Sequence, residues 1–136
     1  MHSRAPLRLA SAVVLLGLVA AAAAGCSKRA APAARATTSS LVVQAGAHAR
    51  PDGSLYFRQR VLRAPAGTAT ILFTNPAALE HNLAVRRGVK QLGITATIAN
   101  GKTAQLSLRL APGRYVFFCA VPGHEASGMR GALIIT

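Results

Sequence analysis

In Ala104-Gln105-Leu106-Ser107-Leu108-Arg109-Leu110 every second residue after the alanine is polar, so an extended chain puts Leu106, Leu108 and Leu110 on one face and Gln105, Ser107 and Arg109 on the other. That strand has one dry face and one wet face. From Leu41 onward, short apolar runs recur between Gly, Pro and Asn punctuation at intervals of roughly 8–12 residues, the spacing of β-sandwiches and barrels. The pattern predicts strands over 41–47, 54–63, 68–74, 81–86, 94–98, 103–110, 113–119 and 131–136, eight in all. Pro65-Ala66-Gly67, Asn100-Gly101-Lys102 and Ala111-Pro112-Gly113 mark turns between them. No segment from 41 to 136 carries a long 3.6-residue period, so the expectation is one all-β domain over 41–136 with at most a short helical turn. About 96 residues are enough to bury a core without disulfide staples.

The first forty residues follow a different pattern. Arg4 and Arg8 precede sixteen uncharged residues, Leu9 to Ala24, and small residues close the run. A basic start, an apolar stretch and a small-residue end read as a secretory signal over 1–25, and the run is short of the ~20 residues a spanning helix needs. It ends Ala23-Ala24-Gly25-Cys26, which resembles a bacterial lipobox except that Ala23 stands where Leu is usual. Cys26 is then the expected lipidation site, because an exposed free thiol in an oxidising compartment is a liability; plain cleavage after Ala22-Ala23-Ala24 is the alternative. Residues 26–40 are small and without apolar periodicity, and read as a flexible tether.

The chemistry is concentrated near the C-terminus. Cys119, His124 and Met129 are spaced C-x4-H-x4-M between two apolar runs, with Pro122-Gly123, Gly128 and Gly131 available to curl the loop. Taken singly, each has a bland reading: a buried thiol, a solvent-facing imidazole, core filler. Together they are a thiolate, an imidazole and a thioether, and the soft thioether suits copper rather than zinc or iron(II). Two histidines and a cysteine in a plane, with a long axial methionine, form the blue-copper electron-transfer site, so a second histidine is required. His2 lies in the signal and His48 precedes an Arg-Pro-Asp-Gly turn, whereas His81 heads the strand-like Glu80-His81-Asn82-Leu83-Ala84-Val85. His81 is the candidate.

Phe118-Cys119, Pro122-Gly123-His124, Gly128-Met129 and Gly131, with His81-Asn82 some forty residues upstream, resemble the small cupredoxins: plastocyanin, azurin, auracyanin and sulfocyanin. The loop spacing is closest to auracyanin and sulfocyanin. The resemblance covers about the last 95 residues and implies an eight-stranded Greek-key β-sandwich holding one type 1 copper ion on His81, Cys119, His124 and Met129. It further implies that Asn82 hydrogen-bonds between the two ligand-bearing segments, and that an apolar patch around His124, here Ala120, Val121, Pro122 and Ala126, is the electron port. Glu125, directly after that histidine, departs from the family pattern. The implied activity is electron transfer rather than catalysis; copper carriage or storage would use the same ligands. A catalytic copper would need further histidines, and a dinuclear centre a second loop cysteine.

Charge adds one expectation. Without Arg4 and Arg8 the chain has 14 Lys and Arg against Asp52, Glu80 and Glu125, a side-chain balance of +11. Such a field steers an acidic redox partner or anionic headgroups, although Arg outnumbers Lys 13 to 3, as compositional bias would also produce. Export and the lack of a nucleic-acid-binding motif exclude nucleic acid. The expected protein is a monomer at the cell envelope, held to the outer face of the membrane through Cys26, or free in the periplasm if Cys26 carries no lipid.

Overall fold

The computed structural model describes residues 37–46 and 48–136. The signal, Cys26 and the tether as far as residue 36 lie outside the described residues. Eight strands are present: β1 (Thr38–Gln44), β2 (Val61–Ala64), β3 (Gly67–Asn75), β4 (Ala84–Arg87), β5 (Lys90–Ile94), β6 (Lys102–Leu110), β7 (Gly113–Phe118) and β8 (Arg130–Ile135). They form a three-stranded sheet ordered β1-β3-β6 and a five-stranded sheet ordered β2-β8-β7-β4-β5. β1 with β3 and β2 with β8 are parallel, and the other pairs are antiparallel. Successive strands repeatedly change sheet, so strands adjacent in space are seldom adjacent in sequence; this is the Greek-key sandwich.

Alternation explains the two layers. In β3 the buried residues Ala69, Ile71 and Phe73 alternate with more exposed ones, and in β7 Tyr115 and Phe117 point to the core between Arg114, Val116 and Phe118. Phe57 sits between the sheets, with ring centroids 5.9 Å from Phe73 and 5.4 Å from Phe117. Burying each such side chain contributes roughly 1.5–3 kcal/mol. Met129 and Cys119 belong to the same buried cluster, so the ligand loop is anchored in the core rather than draped over it.

Several expected boundaries differ. β1 starts at Thr38, inside the stretch read as tether, because Thr38 to Ser40 pair with Thr68 to Thr70 of β3. The expected strand 54–63 is divided between sheets. Phe57 bridges to Ala45, the Gln59 side chain accepts the backbone N–H of Gln44 at 2.8 Å, and the chain then crosses to pair with β8 as β2. A β-like sequence that serves two sheets cannot be one strand. Expected strand 94–98 is displaced to β5 by a hairpin after β4. Gly88, at φ 57°, supplies the positive angle that a two-residue turn needs at its first central position. Regular pairing then stops because Thr95 Oγ1 takes the Leu83 N–H at 3.0 Å. Only Ile98 pairs again, as an isolated bridge to His81, three residues ahead of β4. Gly131, read both as a curl residue of the ligand loop and as the first residue of the expected strand 131–136, lies within β8.

Candidate metal centre

Two segments meet at one end of the sandwich. Backbone bonds in both directions between His81 and Ile98, at 3.1 and 2.8 Å, hold the first. Asn75 shapes its approach: the Asn75 side chain donates to Leu79 O and Ile98 O, each at 2.8 Å, and accepts from Ala77 N at 3.0 Å. The second segment leaves β7 at Phe118, curls through Gly123 and Gly128 at φ 82° and 100°, and returns as β8. Those two glycines occupy the left-handed region at little steric cost, which lets the eleven residues from Cys119 to Met129 close on themselves. Cys119 N–H donates to Met129 O at 3.0 Å, and Met129 N–H to His124 O at 3.1 Å. Each ligand candidate on this loop is therefore fastened by its backbone to another.

Asn82 joins the two segments. Its Oδ1 accepts the Ala120 N–H at 2.7 Å, and its Nδ2 donates to Thr97 Oγ1 at 3.1 Å. A second tie was invisible in the sequence: Arg86 of β4 forms a bidentate pair with Glu125, at 2.7 and 2.6 Å, while its guanidinium lies 4.4 Å from the centre of the Phe118 ring. The ion pair holds the Glu125 carboxyl below its usual range. Glu125 is thus a loop anchor with a fixed partner.

The side chains converge. His81 Nδ1 and His124 Nδ1 are 3.1 Å apart, and Cys119 Sγ is 3.8 Å from the first and 3.5 Å from the second. His81 and Cys119 are buried, and His124 is partly exposed. Each atom brings a lone pair into the same small volume. One proton can bridge only one edge of such a triangle, whereas one cation satisfies all three corners. An ion roughly 2.0–2.1 Å from each imidazole nitrogen and about 2.3 Å from the sulfur would give edges of about 3–4 Å, as found. The donor set therefore fits a single transition-metal ion. Met129, fully buried, borders the group through its backbone bonds to Cys119 and His124.

Electrostatics agree with that occupant. Burial, followed by the neighbouring His124, pushes His81 down to about 4, and burial also lowers His124. Burial raises the Cys119 thiol, opposed by the backbone amides of Asn82 and Val121. Without metal the pocket prefers neutral imidazoles, whose lone pairs are free, and a thiol that releases its proton on binding. Beside it Phe118, Cys119, Val121, Pro122, Ala126 and Arg130 line a groove of about 550 Å³.

His81, Cys119 and His124 come together as the sequence proposed; His48 does not join them. Asn75, Thr95, Thr97 and Arg86 were missed. Asn75-Pro76 carries a local turn signal, but the partners of the other three are set only by the tertiary fold.

Comparison with known proteins agrees with the donor chemistry. The model for copper binding proteins of the plastocyanin/azurin family matches residues 44–136. Auracyanin-B of Chloroflexus aurantiacus is 39% identical over 46 residues, 33% of this chain but only 20% of that protein. Among solved structures, dithionite-reduced auracyanin from Roseiflexus castenholzii superposes with a TM-score of 0.62 at 22% identity, over 74% of this chain and 98% of that one. Rusticyanin from Thiobacillus ferrooxidans gives 0.59 at 21%, over 73% and 77%. At such identities the superpositions speak for the fold.

Proposed function

The chain belongs to the plastocyanin/azurin family of copper-binding proteins, and we propose that it carries single electrons between redox partners at the cell envelope, without catalysing a reaction of its own. Bound at the centre, copper supplies one-electron exchange between Cu(I) and Cu(II). The observation that carries the reading is the triangle of His81 Nδ1, His124 Nδ1 and Cys119 Sγ with edges of 3.1–3.8 Å.

The residues divide the work. Cys119 would give the thiolate, His81 and His124 the imidazoles, and Met129 a weak thioether sulfur that would tune potential. Donors held in place by the fold would reduce rearrangement on electron gain or loss. Asn82, Asn75 and the Arg86–Glu125 pair provide that rigidity. His124, partly exposed on the same loop as the groove-lining Val121, Pro122 and Ala126, would be the exit for the electron.

Export over 1–25, lipidation at Cys26 and a flexible tether to the membrane complete the proposal. Voltammetry of the copper-loaded protein, paired with a competition against a Cu(I) chelator, tests it. A reversible one-electron wave with slow metal loss supports electron transfer. No reversible wave together with rapid surrender of the metal would make the protein a copper carrier. Cys26→Ser is expected to move the protein from the membrane to the soluble fraction; unchanged fractionation would remove the anchor from Cys26.

A further inference from the structure

Basic residues are unevenly distributed over the two outer faces of the sandwich. In the five-stranded sheet, register places Arg130 beside Phe118 and Ala84 in one row. The next outward row holds Arg86, Val116, Ala132 and Val61, and the one after it Arg114, Ile134 and Arg63. Residues between these rows, such as Val85, Phe117 and Leu133, are buried in the core. Arg60, exposed, precedes β2 at the same edge. The outer face of the three-stranded sheet is different: Thr68, Thr70 and Leu72 pair with Arg109, Ser107 and Gln105. That face has one arginine in those rows against four in the other, so the basicity is not evenly scattered composition.

Arg60, Arg86, Arg130, Val116, Gly131 and Ala132 line a groove of about 400 Å³ on the arginine-bearing face. Its floor is apolar and its rim cationic. Among the described residues, the one carboxylate in a salt bridge with an arginine is Glu125, which takes Arg86 and also feels the charge of Arg130 without bridging it; no carboxylate bridges Arg60. Arg130 also lines the groove beside Cys119. The two recesses share a wall, and whatever docks in the arginine groove lies against the copper end.

We infer that the arginine groove of the five-stranded sheet is the docking surface for an acidic protein partner, whose carboxylates pair with Arg60 and Arg130 while it covers the His124 port. The inference rests on the electron-transfer reading and names the partner's chemistry. Exposed arginines fork onto carboxylates, and a field of one sign speeds encounter and falls with salt. A recess with an apolar floor favours the projecting side chains of a protein over a planar layer of headgroups.

The test uses the Cu(I) protein, which is diamagnetic, and a synthetic peptide rich in glutamate as probe, followed by amide chemical shifts. Shifts are expected at Arg60, Val116, Arg130, Gly131 and Ala132, and are expected to disappear in high salt. The Arg60→Glu/Arg130→Glu double variant is expected to weaken binding about tenfold or more, since attraction becomes repulsion. Arg109→Glu on the opposite face is expected to leave it near the parent value. Shifts spread equally over the Arg109 face, or equal affinity for the double variant, would overturn the inference. So would binding to phosphatidylglycerol vesicles that the double variant loses while the peptide shifts nothing, since the face would then belong to a membrane surface. The titration needs no electron transfer, so its failure leaves the copper spectra and voltammetry untouched, while failure of the blue-copper reading shows in those measurements alone.

Discussion

At the scale of single residues, the centre depends on atoms that no neighbour can replace. Met129 is buried and its backbone is bonded to both Cys119 and His124, so Met129→Leu is expected to keep the packing and remove the proposed thioether donor. Copper binding is expected to persist and the potential to rise, because loss of that donor disfavours Cu(II); an unchanged potential on voltammetry would remove Met129 from the donor set. His81 titrates in an informative window. In the copper-free protein its folded value of about 4 lies below the ordinary 6.5 of the unfolded chain. As pH falls through that interval the unfolded chain takes up a proton that the folded one refuses, so stability is full above about 6.5 and declines toward 4. Thermal melts of copper-free protein across this range are expected to show that slope, and His81→Gln to reduce it, the remainder belonging to His124, which burial also lowers. A slope unchanged by the substitution would place the proton elsewhere.

At the scale of elements, two close approaches fix the ligand loop. Gly131 of β8 lies under the Phe117 ring, and a Cβ there would meet the ring edge and come within 2.8 Å of Arg60 O. Gly131→Ala is expected to cost about 1–3 kcal/mol through overpacking, read as a lower unfolding temperature of the copper-free protein; a cost near zero would mean that Phe117 can move aside. The Arg86–Glu125 pair clamps β4 to the loop. Its side chains are about a quarter exposed, so Glu125→Gln is expected to lose no more than about 1 kcal/mol, with the loss shrinking as salt rises. A loss indifferent to salt would show that packing of Arg86 on Phe118, rather than charge, does the holding. Elements were also where sequence reading was least secure. Strands with one wet face and firm turns, such as β3, β6 and β7, fall within a residue of expectation because alternation sets the face and a break containing Pro, Gly or Asn marks at least one end of each. The stretch 54–63 and the region after β4 do not. There, side chains of Gln59 and Thr95 replace ladder bonds, and Gly88 opens a hairpin that no alternation announces.

At the scale of the molecule, the sandwich brings His81 from beside the Ile98 bridge, and Cys119 and His124 from the loop between β7 and β8, to one end of a closed core. The donor types were readable in the chain because Cys, His and Met at even spacing have few other joint uses, and the lack of a rival histidine pointed to His81. Of what holds them, the Asn82 tie was implied by the family resemblance and is present, to the Ala120 N–H 38 residues away. The Arg86–Glu125 pair, 39 residues apart, could not be read; such a partner exists only after the fold has brought β4 and the loop together. The arginine face is likewise a product of register, since Arg63, Arg86, Arg114 and Arg130 come from four strands. The most direct measurement is the visible and electron-paramagnetic spectrum of the purified protein after addition of Cu(II), for the parent and for Cys119→Ser. The expected result is one copper per chain with intense thiolate-to-copper colour and a narrow copper hyperfine splitting, both lost in the variant. A colourless parent, or colour that survives Cys119→Ser, would contradict a single copper ion held by His81, Cys119, His124 and Met129.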